Sequence, residues 1–180
     1  MLIRKFVGLY KIVNLRGSNQ KSNMEDLNAL SQVAEFHKTF KHPILPQATI
    51  PTKERCQLRV DLLSEELREL QDAINDGNMV EIADALCDLQ YVLAGAVLEF
   101  GLGNQFKSLF DEVHRSNMSK ACKTVEEANA TIAHYKTSSN VDAYYKEIDS
   151  LFLVYRGSDH KTLKSINYSP ADLRSLVGGK

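Results

Sequence analysis

Leu27, Leu30, Val33, Ala34 and Phe36 recur at helical spacing in "MEDLNALSQVAEFHKTF", which predicts a first helix. It ends before "KHPILPQATIP", where Pro43, Pro46 and Pro51 forbid a continuing helix. Thr52, followed by Lys-Glu-Arg, opens a second helix as its N-cap, and the apolar pattern carries that helix to about Asn75. The run Asn75-Asp76-Gly77-Asn78 turns the chain, and a third helix extends to about Phe100, stopped by Gly101 and Gly103. So short a turn makes the two long helices antiparallel neighbours.

"NQFKSLFDEVHRSNMSK" predicts a fourth helix whose buried side is Phe106, Leu109, Phe110 and Val113. In "TVEEANATIAHY", a shorter fifth, Thr124 is the cap and Glu127 completes a capping box. Beyond it the pattern weakens. "SLFLVYR" and "KTLKSI" flank the turn-like "GSDH" and predict a small hairpin, and "YSPADLRSLVGGK" reads as a surface tail. The expected fold is therefore all-α, an antiparallel bundle with a four-helix core and a small C-terminal β-hairpin. Residues 1–23 form a basic extension, 24–136 the helical domain and 137–180 an appendage.

Acids disturb this pattern. With Glu66 set at zero on a helical wheel, Leu63, Leu67, Leu70 and Ile74 fall at roughly 40–100°, and Leu58, Leu62 and Ala73 at roughly 280–340°. Glu66 thus sits between two apolar groups, with Glu69 one turn on. In the third helix Glu81, Asp84 and Asp88 share a stripe beside Ile82, Ala85, Leu89 and Val92. A solvated acidic face is the ordinary reading of such a run. For Glu66 and Glu69 it would expose the leucines on both sides, so a counter-charge is expected. Arg59 and Arg68 are the bases at hand in these two segments.

Composition narrows the chemistry. The 180 residues are 43% hydrophobic and 25% charged with a formal net charge of −1, which suits a soluble protein and argues against nucleic acid as a partner. No stretch approaches the roughly 20 apolar residues that span a bilayer. Cys56, Cys87 and Cys122 form neither a disulfide framework nor a thiolate zinc site and suit a cytoplasmic setting. The first 24 residues hold Arg4, Lys5, Lys11, Arg16 and Lys21 and no acid, a composition shared by targeting segments and by non-essential extensions. The candidate ligands are all hard oxygens, and Asp111-x-x-His114 is the nearest approach to the paired Glu-x-x-His of a di-iron bundle. Oxygen-only ligation favours Mg²⁺ or Mn²⁺, and Mg²⁺ completes its shell with water and substrate phosphates. One or two ions per site would match the number of acids.

"EELRE" (Glu65, Glu66, Glu69), followed after eleven residues by "EIAD" (Glu81, Asp84), resembles the EExxE…ExxD signature of the all-α nucleoside triphosphate pyrophosphohydrolases. These are the MazG-like proteins with their dUTPase and phosphoribosyl-ATP pyrophosphohydrolase relatives. "EFHKTFKHPI", "FGLG", "EVHRSNMSK" and "KTLKSINYSPADL" extend the likeness over Asn28–Lys120 and again near Lys161–Leu173. The resemblance implies hydrolysis between the α and β phosphates of a nucleotide. It implies metal at Glu66, Glu69, Glu81 and Asp84, and Glu65, with Asp88 next, to orient or deprotonate water. It also implies a homodimer or a dimer of dimers.

The resemblance implies that Arg115 and Lys120 grip phosphate and Asn117 reads a base edge or ribose; apart from it, a basic helix C-terminus complementing the dipole is the preferred reading of Arg115 and Lys120. Phe36 and His37 stand where the resembling proteins bring an aromatic near the base; a packed histidine is the plainer reading of His37. Tyr91 reads as core. A (d)NTP or dUTP pool-cleaning activity, phosphoribosyl-ATP hydrolysis in histidine synthesis, and a non-catalytic dimerisation or binding module are the three functions these residues leave open.

Overall fold

The computed structural model describes residues 27–178, so the basic N-terminal extension lies outside the described residues. Two compact units are present. Among the described residues the first comprises 27–109 and 173–178, the second 110–172. The expected boundary near residue 137 falls inside the second unit.

The helical unit is built as its punctuation requires. Helix α1 (Ala29–Phe40) ends on Lys41 in the left-handed region. The Thr52 hydroxyl accepts the Arg55 N–H at 3.4 Å and starts α2 (Lys53–Asp76). Gly77, at φ +66°, closes α2, and the Asn78 side chain accepts from the Val80 and Glu81 N–H groups at 3.1 and 3.4 Å to start α3 (Met79–Glu99). Helix α2 packs along α3, and α1 lays Val33 against Ala94 and Leu98, with Ala29, Leu30 and Ala34 around them. The proline segment then runs beside the end of α3, where the Leu45 and Thr49 N–H groups donate to the Leu98 and Phe100 carbonyls at 3.1 and 3.0 Å.

Gly101 makes that return possible. Its φ is +68°, and a Cβ there would run into the Gln47 carbonyl oxygen. Backbone, not a flexible side chain, would have to move. Gly101→Ala is therefore expected to cost about 2 kcal/mol, read as a lower urea midpoint with an unchanged m-value.

Helix α4 (Phe106–Met118) begins in the first unit and continues into the second. Its buried residues are Leu109 and Ser116; Phe110 is 63% exposed and Val113 is exposed as well, so the predicted apolar side is only half correct. The apolar period continued past the residues that this chain actually covers.

In the second unit, α5 (Val125–Ser139) has the expected cap, with Thr124 accepting the Glu127 N–H at 3.2 Å. The Glu127 carboxylate closes back on the Lys123 N–H. Helix α5 packs on an antiparallel hairpin of β1 (Ala143–Ile148) and β2 (Leu151–Arg156). Cys122, Ala128, Val154 and Leu163 form its core.

The strand "LFLVYR" was legible, but its partner is "AYYKEI" on the N-terminal side, not "KTLKSI". Asp149 and Ser150 both take positive φ (+48° and +64°), the pair of left-handed residues a two-residue hairpin turn needs. "KTLKSI" contributes only a single bridge, Thr162 to Tyr155. The "tail" also carries a short helix, α6 (Arg174–Val177).

Candidate active site

The antiparallel α2–α3 pair draws most of the predicted acids together. Burial raises the Glu66 carboxyl above the ordinary glutamate range, and Glu69, Asp88, Glu65 and Asp84, in that order, push it further. Five carboxylates from two helices thus share one electrostatic neighbourhood. Glu66 and Asp88 are half-buried; Glu65, Glu69 and Asp84 are exposed.

One expectation needs correction, that of an inward Glu69, and Glu81 stands apart from the other acids. Glu69 does not point at the core, because Leu67 (59% exposed) and Ile74 (48%), which framed the inferred buried face, are themselves uncovered. The covered face of α2 is narrower and follows Arg59, Leu62, Leu63, Glu66, Leu70 and Ala73. Glu81 is exposed and is not among the groups that act on Glu66; it stands in the first turn of α3, where the capping side chain of Asn78 takes its N–H.

Among the described residues no three His, Cys, Asp or Glu side chains converge to metal-binding distance. The donors are nevertheless hard oxygens that repel one another, and a divalent cation relieves that repulsion. In charge and donor type the set fits Mg²⁺.

One turn away lies a cavity of about 230 Å³. Leu62 of its lining precedes Glu66 by four residues on α2, and Tyr91 follows Asp88 by three on α3. Phe36 stacks on His42 with centroids 5.7 Å apart and meets Tyr91 edge-on at 5.6 Å. Tyr91, expected as core, is 40% exposed and lines this cavity.

Beneath it is a charge network that the sequence pattern concealed. Glu99 is 1% exposed and accepts from both Arg55 and Arg59, the Arg55 Nε bond being 3.1 Å. Burial raises the Glu99 carboxyl, but the two guanidinium groups outweigh it and hold the group below its usual range. His37 is buried; its Nδ1–H donates to the Pro43 carbonyl at 2.9 Å, and its Nε2 faces Arg59 Nη2 at 3.4 Å. Burial lowers the His37 pKa, which keeps the ring neutral so that Nε2 can accept. With both nitrogens engaged inside the unit, His37 holds Arg59 in place. Gly95 gives the network room, since a Cβ there would meet Arg59 Nη1 at 2.8 Å and His37 Nε2 at 3.1 Å. The signal available for Glu99 was a lone acid closing the apolar run "YVLAGAVLEF".

In the second unit the Arg115 guanidinium is held by Glu112 in a two-bond fork (2.7 and 2.8 Å) and also reaches the Pro170 carbonyl at 3.1 Å. Arg115 and the Asp172 N–H together push the Glu112 carboxyl down to about 2. Lys120 Nζ donates to the Asn117 side-chain oxygen at 2.7 Å.

Two antiparallel helices that gather carboxylates beside an aromatic cavity form the centre of an all-α unit. Comparison with known proteins agrees: residues 33–117 match the family described as phosphoribosyl-ATP pyrophosphohydrolase and form a domain of the MazG-like all-α nucleoside triphosphate pyrophosphohydrolase superfamily. The chain is also similar to uncharacterized protein L479 of Acanthamoeba polyphaga mimivirus. The two are 26% identical over a 246-residue alignment that covers 87% of this chain and 98% of that protein. No helix among the described residues is long and apolar enough to cross a membrane.

Proposed function

We propose that this protein is a Mg²⁺-dependent nucleoside triphosphate pyrophosphohydrolase that cleaves between the α and β phosphates, releasing a nucleoside monophosphate and pyrophosphate. One observation carries the reading: four carboxylates gather around that of Glu66, one helical turn from an aromatic cavity, inside a pyrophosphohydrolase-family domain. Glu66, Glu69 and Asp84 would hold the ion, with Glu81 completing the set from the first turn of α3. When bound, Mg²⁺ supplies positive charge to the phosphate oxygens.

The chain's own groups do the rest. Glu65, or Asp88 after it, accepts the proton of the attacking water. That water's oxygen ends on one phosphate as the bridging P–O–P bond breaks, and the bridging oxygen leaves with the other fragment. Phe36, His42 and Tyr91 offer flat faces on which a base can stack.

Pool cleaning of (d)NTPs, dUTP among them, is the activity we favour. The family's own description favours phosphoribosyl-ATP as the second substrate. Exposed Leu67, Ile74 and Leu86 on α2 and α3 support a homodimer or dimer of dimers, and the free Cys87 on the surface suits the cytoplasm.

Incubation with Mg²⁺ and a panel of dUTP, dCTP, dATP, dGTP, ITP, ATP and phosphoribosyl-ATP, read by ³¹P NMR, tests the proposal. Pyrophosphate from one substrate, abolished by EDTA, is the expected result. Orthophosphate instead would place the chemistry at the terminal phosphate and overturn the reading. No turnover of any nucleotide would leave the non-catalytic module as the better account.

A further inference from the structure

His37 fastens the end of α1 to the rest of the helical unit from inside. It is buried in the last turn of that helix, one turn before Lys41 takes its left-handed φ. Its carbonyl accepts the His42 N–H at 2.8 Å, and its ring Nδ1–H donates to the Pro43 carbonyl at 2.9 Å. Backbone and ring of one residue therefore hold the turn 41–43. That turn carries His42, which stacks on Phe36, and the two rings form the α1 side of the aromatic cavity.

The surroundings admit the ring only when it is neutral. From α2, Arg59 Nη2 faces Nε2 at 3.4 Å, and Arg55 stands with it on the Glu99 carboxylate. From α3 come Tyr91, which lines the same cavity, and Glu99, which both guanidinium groups already share. From the turn, the His42 ring centroid lies 5.4 Å away. A proton on Nε2 would set one N–H against another and put three cations on one buried anion. The Gly95 backbone leaves the ring no room to retreat toward α3, since a Cβ there would meet Nε2 at 3.1 Å. Burial is the largest cause that lowers the His37 pKa; Arg59 and His42 add to it, against the Pro43 bond and Glu99.

We infer that His37 is an acid-operated latch on the aromatic cavity. Neutral, it holds the 41–43 turn and the Phe36–His42 wall. When solvent delivers a proton to Nε2, the imidazolium leaves the core, the bond to the Pro43 carbonyl breaks and that wall is released. Tyr91, carried by α3, keeps its place. A base whose pKa is lowered in the closed form holds its proton more tightly in the open one, so falling pH favours opening. The inference rests on this network and not on the hydrolase reading.

Hydrogen exchange of the full chain, read by NMR from about pH 7.5 to about pH 5 across the ordinary histidine range and corrected for intrinsic rates, tests the latch. Protection of the His42 amide is expected to fall roughly tenfold or more, in step with the His37 imidazole signal. The α5 amides, such as that of Ala128 on the Thr124 carbonyl, should keep theirs. His37→Gln cannot take up the proton and should show no step. Arg59→Met removes the facing guanidinium and should move the step to higher pH, whereas His42→Gln should retain one. An unchanged His42 amide in the parent, an equal step in His37→Gln, or simultaneous loss of protection in α5 would each overturn the latch. Should His37→Gln not fold, the parent decides alone: a His37 imidazole that titrates without change at the His42 amide sinks the inference. Turnover enters none of these readouts, so failure of the hydrolase proposal would leave them readable.

Discussion

Glu66→Gln is expected to lower kcat/KM by about 10²–10³-fold or more while making the metal-free protein more stable. Both effects have one cause. In the folded chain Glu66 is half-buried amid Glu69, Asp88, Glu65 and Asp84, which raise its pKa. Its ionised form is thus disfavoured unless a cation answers it. Removing the charge relieves the repulsion, and it also removes a ligand from the proposed Mg²⁺ site, where loss of electrostatic stabilisation typically costs two to three orders of magnitude.

The sign of the pH dependence follows. For a carboxyl whose folded pKa is raised, its contribution to stability is fully present below the unfolded value and is lost as pH rises through the folded value. The stability difference between Glu66→Gln and parent should therefore grow in favour of the variant across that interval and level off above it. The rise is expected to be small, because solvent screens these side chains. Added Mg²⁺ should reverse the order by stabilising the parent and not the variant. Thermal melts of both proteins across pH, with EDTA or Mg²⁺, check this. A non-catalytic bundle would show the apo effect and no metal effect.

Glu99→Ala is expected to cost about 3–5 kcal/mol, the usual penalty for breaking a buried ion pair from one side. Arg55, 31% exposed at its side chain, can turn to water when the carboxylate goes; Arg59, at 9%, cannot. The orphaned charge is therefore chiefly Arg59, whose Nε already has no hydrogen-bond partner among the described residues. Arg59→Met should cost less, since Glu99 keeps Arg55. The double variant Glu99→Ala/Arg59→Met should recover much of the loss, a coupling that urea denaturation of the four proteins would measure. The folded pKa of Glu99 is lowered, so its stabilising contribution is present above the unfolded glutamate value and is lost as pH falls through the folded one. Acid should thus narrow the gap between parent and Glu99→Ala.

Local chemistry accounts for what could be read directly from the residues. Thr52, Asn78 and Thr124 are caps because their side-chain oxygens can meet an N–H a few residues on, and Gly77 ends a helix because it alone takes a left-handed φ without a steric cost. The spacing of Glu66 and Asp88 on two helices joined by a short turn was enough to bring them together, since an antiparallel pair leaves little choice of register. These interactions lie within a helix or across one turn, and the amino-acid order alone determines them.

What the order left open depended on distant partners. The helical period marked Leu67, Ile74, Phe110 and Val113 as apolar, but periodicity cannot say whether anything covers them; in this chain they are exposed. "LFLVYR" was recognisable as a strand, yet both flanking segments could pair with it, and the left-handed Asp149-Ser150 turn decided for the earlier one. Glu99 closes its apolar run as a lone acid, and only folding carries Arg55 and Arg59 to it, with His37 behind Arg59, from two other segments. The segment after Leu163 meets the end of α4 only because three hydrogen bonds fasten it there. Charge pairs and strand partners are non-local, and their energies depend on desolvation that only tertiary packing creates.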